Sequence, residues 1–144
     1  MARLGVFEIL EKACEESKVE NRAKVLNKNA HPVLHQILKY TFDPKVEFDL
    51  PAGAPPFSEA DPVNAETFLY QQGRKLQLLR KGGTGDVLTA TKREFIFIEL
   101  LEMIHAKDAW IVIGMKDKKL PEEYSKITKN VVDKAFPGLL DQPI

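Results

Sequence analysis

Apolar residues recur along this chain at helical spacing for most of its length, and the interruptions fall in one block. Phe7, Leu10, Ala13 and Cys14 share a stripe within residues 3–16, the three-to-four-residue rhythm of an amphipathic helix. Cys14 lies on that stripe and reads as a core residue rather than a nucleophile. Ser17-Lys18-Val19-Glu20 has the form of a capping box, in which the serine hydroxyl accepts from a first-turn amide and the glutamate reaches back. It predicts a second helix running to about Asn29. His31-Pro32 opens a third, because proline suits the first helical turn. Val33, Leu34, Ile37, Leu38 and Thr41 form its buried face.

The interrupting block runs from Asp43 to Pro62 and contains Pro44, Pro51, Pro55, Pro56, Pro62 and Gly53. Proline removes amide donors and blocks helix, so the block predicts an extended excursion. Its apolar residues Val46, Phe48, Leu50 and Phe57 predict packing against the body, with room for a short two-stranded pairing. Helix returns near Asn64 and continues to about Arg80, with Phe68, Leu69, Leu76 and Leu79 inward, until Lys81-Gly-Gly-Thr-Gly85 breaks it. The next helix starts between Asp86 and Thr91, where Thr91-Lys92-Arg93-Glu94 is a second capping-box candidate. Phe95 to Ile104 is apolar on most sides and predicts the central buried helix. Residues 107–116, rich in Ala109, Trp110, Ile111, Val112 and Ile113, read as helix, and Lys116 to Pro121 as a charged turn. Glu122 to Ala135 is the last helix, with Tyr124, Ile127, Val131 and Val132 inward and Pro137-Gly138 as its stop. The fold class is all-α: a bundle of about six to seven helices with a proline-rich excursion at about 43–62, in a single domain spanning 1–144.

Total charge names no partner, since 21 basic residues balance 21 acidic ones. Distribution says more. From Phe42 to Glu66 there are six acids and one base, and from Gln71 to Arg93 six bases and one acid. That asymmetry reads in two ways: a polar surface with one basic face, or two segments that lie beside each other. A single cysteine allows no intrachain disulfide and fits a reducing cytoplasm. No stretch approaches the ~18–20 apolar residues of a membrane helix, so the expectation is a cytoplasmic protein with no membrane partner.

Local signatures of catalysis are weak. Gly82-Gly83-Thr84-Gly85-Asp86 lacks the lysine and hydroxyl of a phosphate loop and the strand of a dinucleotide fold, and reads as an interhelical turn. Its amides, beside Arg80 and Lys81, remain within reach of a phosphate. His31 and His35 are four apart but lack a third ligand, and His105 stands alone, so a structural role is favoured over a metal site. Glu15-Glu16 and Glu122-Glu123 read as solvated helix ends. The expectation is no enzyme, no catalytic residue, no cofactor and no metal.

What remains is basic. Arg74, Lys75, Arg80 and Lys81 fall partly on one helix face, Lys116, Lys118 and Lys119 cluster in a turn, and Lys126 and Lys129 follow three apart. Such residues at helix ends neutralise phosphates, the origin of most nonspecific nucleic-acid affinity; the alternative is an ordinary solvated surface.

Three stretches carry a family resemblance: "ILEKACEESKVENRAKVLNKNAHPVLHQILKYTFDP", "QGRKLQLLRKGGTGD" and, most specific, "KNVVDKAFPGLL", where Asn130, Lys134, Phe136, Pro137, Gly138 and Leu139 fit the pattern. Together they resemble the N-terminal DNA-binding domain of ATP-dependent DNA ligases of T-even-type bacteriophages. The resemblance implies an all-α module that grips nicked duplex through backbone contacts. The adenylation domain, with its Lys-x-Asp-Gly signature, is absent; Lys107-Asp108 and Lys116-Asp117 do not have that form. It therefore implies a free-standing, complete accessory protein of a T-even-like phage, such as those infecting cyanobacteria, acting in the host cell cytoplasm. Where the family has an Asp-Leu-x-x-Gly turn before its final helix, this chain has "MKDKKLPEEY". Without the glycine, close backbone approach is harder; Lys118 and Lys119 would substitute by charge, and Glu122 and Glu123 would repel phosphate.

Two functions follow as expectations. In the first the chain binds duplex DNA nonspecifically through Arg74, Lys75, Arg80, Lys81, Lys116, Lys118, Lys119, Lys126, Lys129 and Asn130. In the second it is a protein-binding adaptor whose acidic 43–62 excursion, with Phe48 and Phe57 exposed, engages a phage or host replication or transcription enzyme.

Overall fold

A computed structural model describes residues 4–61 and 69–142, and within them the chain is all-helical. Seven α-helices follow one another: α1 (Val6–Glu15), α2 (Val19–Lys28), α3 (Pro32–Phe42), α4 (Gly73–Leu79), α5 (Ala90–Met103), α6 (Ala106–Lys116) and α7 (Lys129–Ala135). Short 3-10 turns lie at Leu69–Gln71, Thr84–Val87, Glu122–Tyr124 and Leu139–Asp141. Among the described residues there is no strand, only two isolated bridges, Phe48 to Arg80 and Ala60 to His105.

The central element is α6, not the 95–104 stretch that the sequence favours. Ile111 to Lys116 is buried at every position, because α6 packs against α1, α3 and α5 at once. By contrast α5 buries Phe97, Leu100 and Leu101 and leaves Phe95 59 % exposed. Its apolar run looks continuous in sequence, but its neighbours α4 and α6 leave one face to solvent. Around this axis α2 packs on α1 and α7, with Ala23 and Leu26 inward.

Helix starts follow from who satisfies the orphan amides of the first turn. His31 caps α3, its Nδ1 accepting from the Val33 amide at 3.0 Å, with Pro32 in the first turn as expected. The capping box at Ser17–Glu20 does not form. Lys18 occupies the cap position without a side-chain bond, and Arg22 draws the tight α1–α2 link together by donating to the carbonyls of Glu16 and Ser17. For α5 the cap is Thr89, accepting from Lys92 N, rather than Thr91; the start falls inside the expected window. The expected helix 64–80 is described only from Leu69, as a 3-10 turn and then α4; residues 64–68, including Phe68, lie outside the described residues. The expected last helix 122–135 is two pieces. Thr128 has extended backbone and its hydroxyl accepts from Val131 N, so α7 starts afresh there, while Tyr124 and Ile127 are buried ahead of it.

After α7, Gly138 takes φ +83°, a left-handed turn that suits glycine. The chain folds back on α3, where buried Lys39 pairs with Asp43 at 2.8 Å and donates to the carbonyls of Leu139 and Gln142.

Candidate functional site

Residues 43–61 form an arm laid across α4, α5 and α6. Val46 is buried, and Phe48, Leu50 and Phe57 pack half-buried against the core, so the two phenylalanines are less exposed than the adaptor expectation has them. The arm is held mainly through its backbone. Lys81 N donates to Glu47 O at 2.8 Å and Asp49 N to Leu79 O at 3.4 Å, beside the Phe48–Arg80 bridge. Further along, Lys116 Nζ donates to Pro51 O at 2.8 Å, Gly53 N to the Asp117 carboxylate at 3.2 Å, and Ser58 N to Glu102 Oε2 at 2.7 Å. The indole of Trp110, 40 % exposed, lies 5.7 Å from the Phe57 ring and donates to Glu59 Oε2 at 3.0 Å.

This placement resolves the charge asymmetry. The acidic arm and the basic 71–93 segment are neighbours, and Glu47 pairs with Lys81 at 3.8 Å and Asp49 with Arg93 at 3.0 Å. Arg93 is otherwise buried, giving its other nitrogen to the carbonyls of Gly85 and Leu88.

The ten residues named for duplex contact divide accordingly. Lys116 is 6 % exposed; it belongs to the arm's anchorage, pairing with Asp117 beside the Phe97 ring. Lys118 also turns inward. Its Nζ donates to the carbonyls of Tyr40, Asp43 and Val46, closing the end of α3, and burial pushes its amine below the ordinary lysine range against the pull of Asp43 and Glu47. These two are not free surface cations, because the carbonyls left over at the end of α3 and in the arm need donors more than solvent does. Lys118 has φ +64°, so a lysine takes the left-handed backbone that suits a glycine. Lys75 pairs with Glu99 at 3.7 Å, and Lys126 donates to Cys14 O at 3.5 Å. Arg80 lies along the Gly82-Gly83 turn, its Nη1 donating to Lys81 O. Arg74, Lys119, Lys129 and Asn130 are exposed, and Lys119 and Lys129 share an open cleft of about 560 Å³ with Phe42 and Glu122.

The glycine turn offers no empty phosphate seat at Gly82, because the Asp86 carboxylate accepts from Gly82 N at 2.9 Å. The histidines serve the scaffold: His31 and His105 cap helices, His105 stacks on Phe7, and His35 meets Phe136 edge-on. Burial raises the thiol pKa of half-buried Cys14. Among the described residues, no group of three or more His, Cys, Asp or Glu is placed to hold a metal ion, and no helix is long and apolar enough to cross a membrane.

Between the arm and α5 lies a pocket of about 320 Å³, lined chiefly by Leu50, Pro51, Pro55, Pro56, Phe97 and Ile98, with Glu94 as its one charged lining residue. Glu94 and Ile98 are four apart on α5 and face it together. Sequence reading missed Glu94, Glu102, Trp110 and Asp117 as partners of the arm. The contacts of the last three span 44, 51 and 64 residues, and no local pattern encodes them.

The family of unknown function DUF6433 matches residues 9–122. No curated protein matches the chain, and no solved structure does.

Proposed function

The chain belongs to the DUF6433 family, and from that premise we propose that it is a non-catalytic adaptor that docks a partner protein on the arm of residues 43–61. One observation carries this reading: the arm is anchored at several backbone positions yet leaves an open apolar pocket over α5. A preformed apolar pocket with few polar groups is a common form of binding site, and fixing it in advance lowers the entropy lost on association. A replication or transcription enzyme of a phage or its host is the partner class we propose. The test is a nuclease-treated pull-down with the intact chain and with residues 52–60 deleted, both verified as folded by circular dichroism. A partner retained by the intact chain and lost with the deletion supports the adaptor; partners that all disappear with nuclease overturn it.

A second reading keeps the ligase-type role of nonspecific duplex binding. It is favoured by the open cleft that carries Lys119 and Lys129, whose charges form no ion pair among the described residues. Of the ten residues first named, these two with Arg74 and Asn130 are exposed and engaged in no hydrogen bond or ion pair of their side chains among the described residues. Labelled duplex titrated at two salt concentrations tests it; absence of binding at low salt removes it.

A further inference from the structure

Resting on the docking reading, we infer that the arm pocket takes an aromatic side chain of a partner segment that also carries an adjacent lysine or arginine. Size sets the first half. A cavity of about 150 Å³ accommodates benzene, and this one is about 320 Å³, room for an indole-sized ring. The walls suit such a ring: Phe97 and Ile98 come from α5, and Leu50 and the stiff Pro55-Pro56 from the arm.

Charge sets the second half. Three carboxylates follow the seam between arm and body: Glu94 at the pocket, Glu102 beside Ser58, and Glu59 beside Trp110. None has a cationic partner among the described residues; Glu102 and Glu59 accept neutral N–H groups. Lys116, bound to the Pro51 carbonyl, and Arg93, next to Glu94 in the chain, are already matched by Asp117 and Asp49. An incoming cation beside the aromatic anchor therefore meets unpaired negative charge, and an incoming anion is repelled.

Tryptamine and indole-3-acetate test this directly, since they share a ring and differ in the sign of the side chain. Each is titrated into the ¹⁵N-labelled chain while the amides of Ala52, Gly53, Ala54 and Ile98 are followed. The expected result is saturable shifts at these amides, tighter for tryptamine by up to about fivefold, the upper end for an exposed ion pair. Glu94→Gln should erase that preference, and Glu94→Lys should reverse it. Equal affinity for both probes, unchanged in Glu94→Gln, overturns the cationic half. No shift at these amides with either probe overturns the inference as a whole. In both cases the adaptor reading still stands or falls on the 52–60 deletion in the pull-down.

Discussion

Lys118 Nζ donates to the main-chain carbonyl of Asp43 at 2.8 Å, joining positions 75 residues apart. The same ammonium serves Tyr40 and Val46, so one side chain closes the end of α3 and starts the arm. Its backbone pays a conformational penalty for this, with φ at +64°. Lys118→Ala removes the donors and keeps the strain, and should destabilise by about 3 kcal/mol. Lys118→Gly removes both, and should lose about 1 kcal/mol less. At roughly 2–5 °C per kcal/mol for a chain of this size, thermal melts resolve the two. Equal melting temperatures would show that the left-handed backbone costs nothing here.

Asp108 is a buried carboxylate that accepts from Phe7 N at 3.0 Å in the first turn of α1. Burial pushes its pKa up to about 7, against that hydrogen bond and aided by Glu8. A folded pKa above the unfolded one means that the folded state binds the extra proton. The contribution of Asp108 to stability is therefore full below about pH 4 and is lost as pH rises through about 7, by on the order of 4 kcal/mol. Asp108→Asn should flatten this part of the profile and raise the melting temperature at pH 8. The same slope in both proteins would place the titration elsewhere.

Gly85 has no room for a side chain, since a Cβ there would lie 1.8 Å from the Leu78 carbonyl oxygen. Gly85→Ala should cost about 3 kcal/mol, because backbone rather than a mobile side chain must move. Gly83→Ala meets only the Arg80 side chain and the Gln77 carbonyl, at 3.2 and 3.3 Å, and should cost about 1 kcal/mol or less. Urea unfolding of the pair checks the contrast; equal losses would mean that the turn adapts as a unit.

If duplex binds at the cleft, each of Lys119→Glu and Lys129→Glu should reduce the salt dependence of affinity by about one phosphate equivalent. Lys116→Met should leave that slope alone, because its ammonium is spent on Pro51 and Asp117. A lower slope for Lys116→Met in a protein that still melts like the wild type would return this lysine to the binding surface.

The helices were legible where apolar rhythm and a local cap agreed. His31-Pro32 marked the start of α3, and Pro137-Gly138 the end of α7. Rank within the bundle was not, because α5 and α6 are both apolar and only their neighbours decide which is enclosed. Thr91 lost to Thr89, two residues away, as the α5 cap, since both hydroxyls precede plausible first turns. The charge asymmetry was visible, and one of its two readings, adjacency of the segments, is the arrangement found. The fates of Lys116 and Lys118 were hidden: a lysine in a charged turn reads as solvated until the carbonyls of Pro51, Tyr40, Asp43 and Val46 are brought beside it.

The body grips the arm by its peptide groups. Lys116, Asp117, Glu102 and Lys118 each address a main-chain atom of residues 46–58 or the carbonyl at which the arm begins. These main-chain contacts do not depend on the side chains at the positions they address. Ala52, Ala54 and Pro56 are exposed and line the pocket, so substitutions there should change what the pocket accepts more than how the arm is held, as long as its extended path is kept. If the arm docks a partner, its specificity can therefore change while the main-chain frame that holds it stays the same.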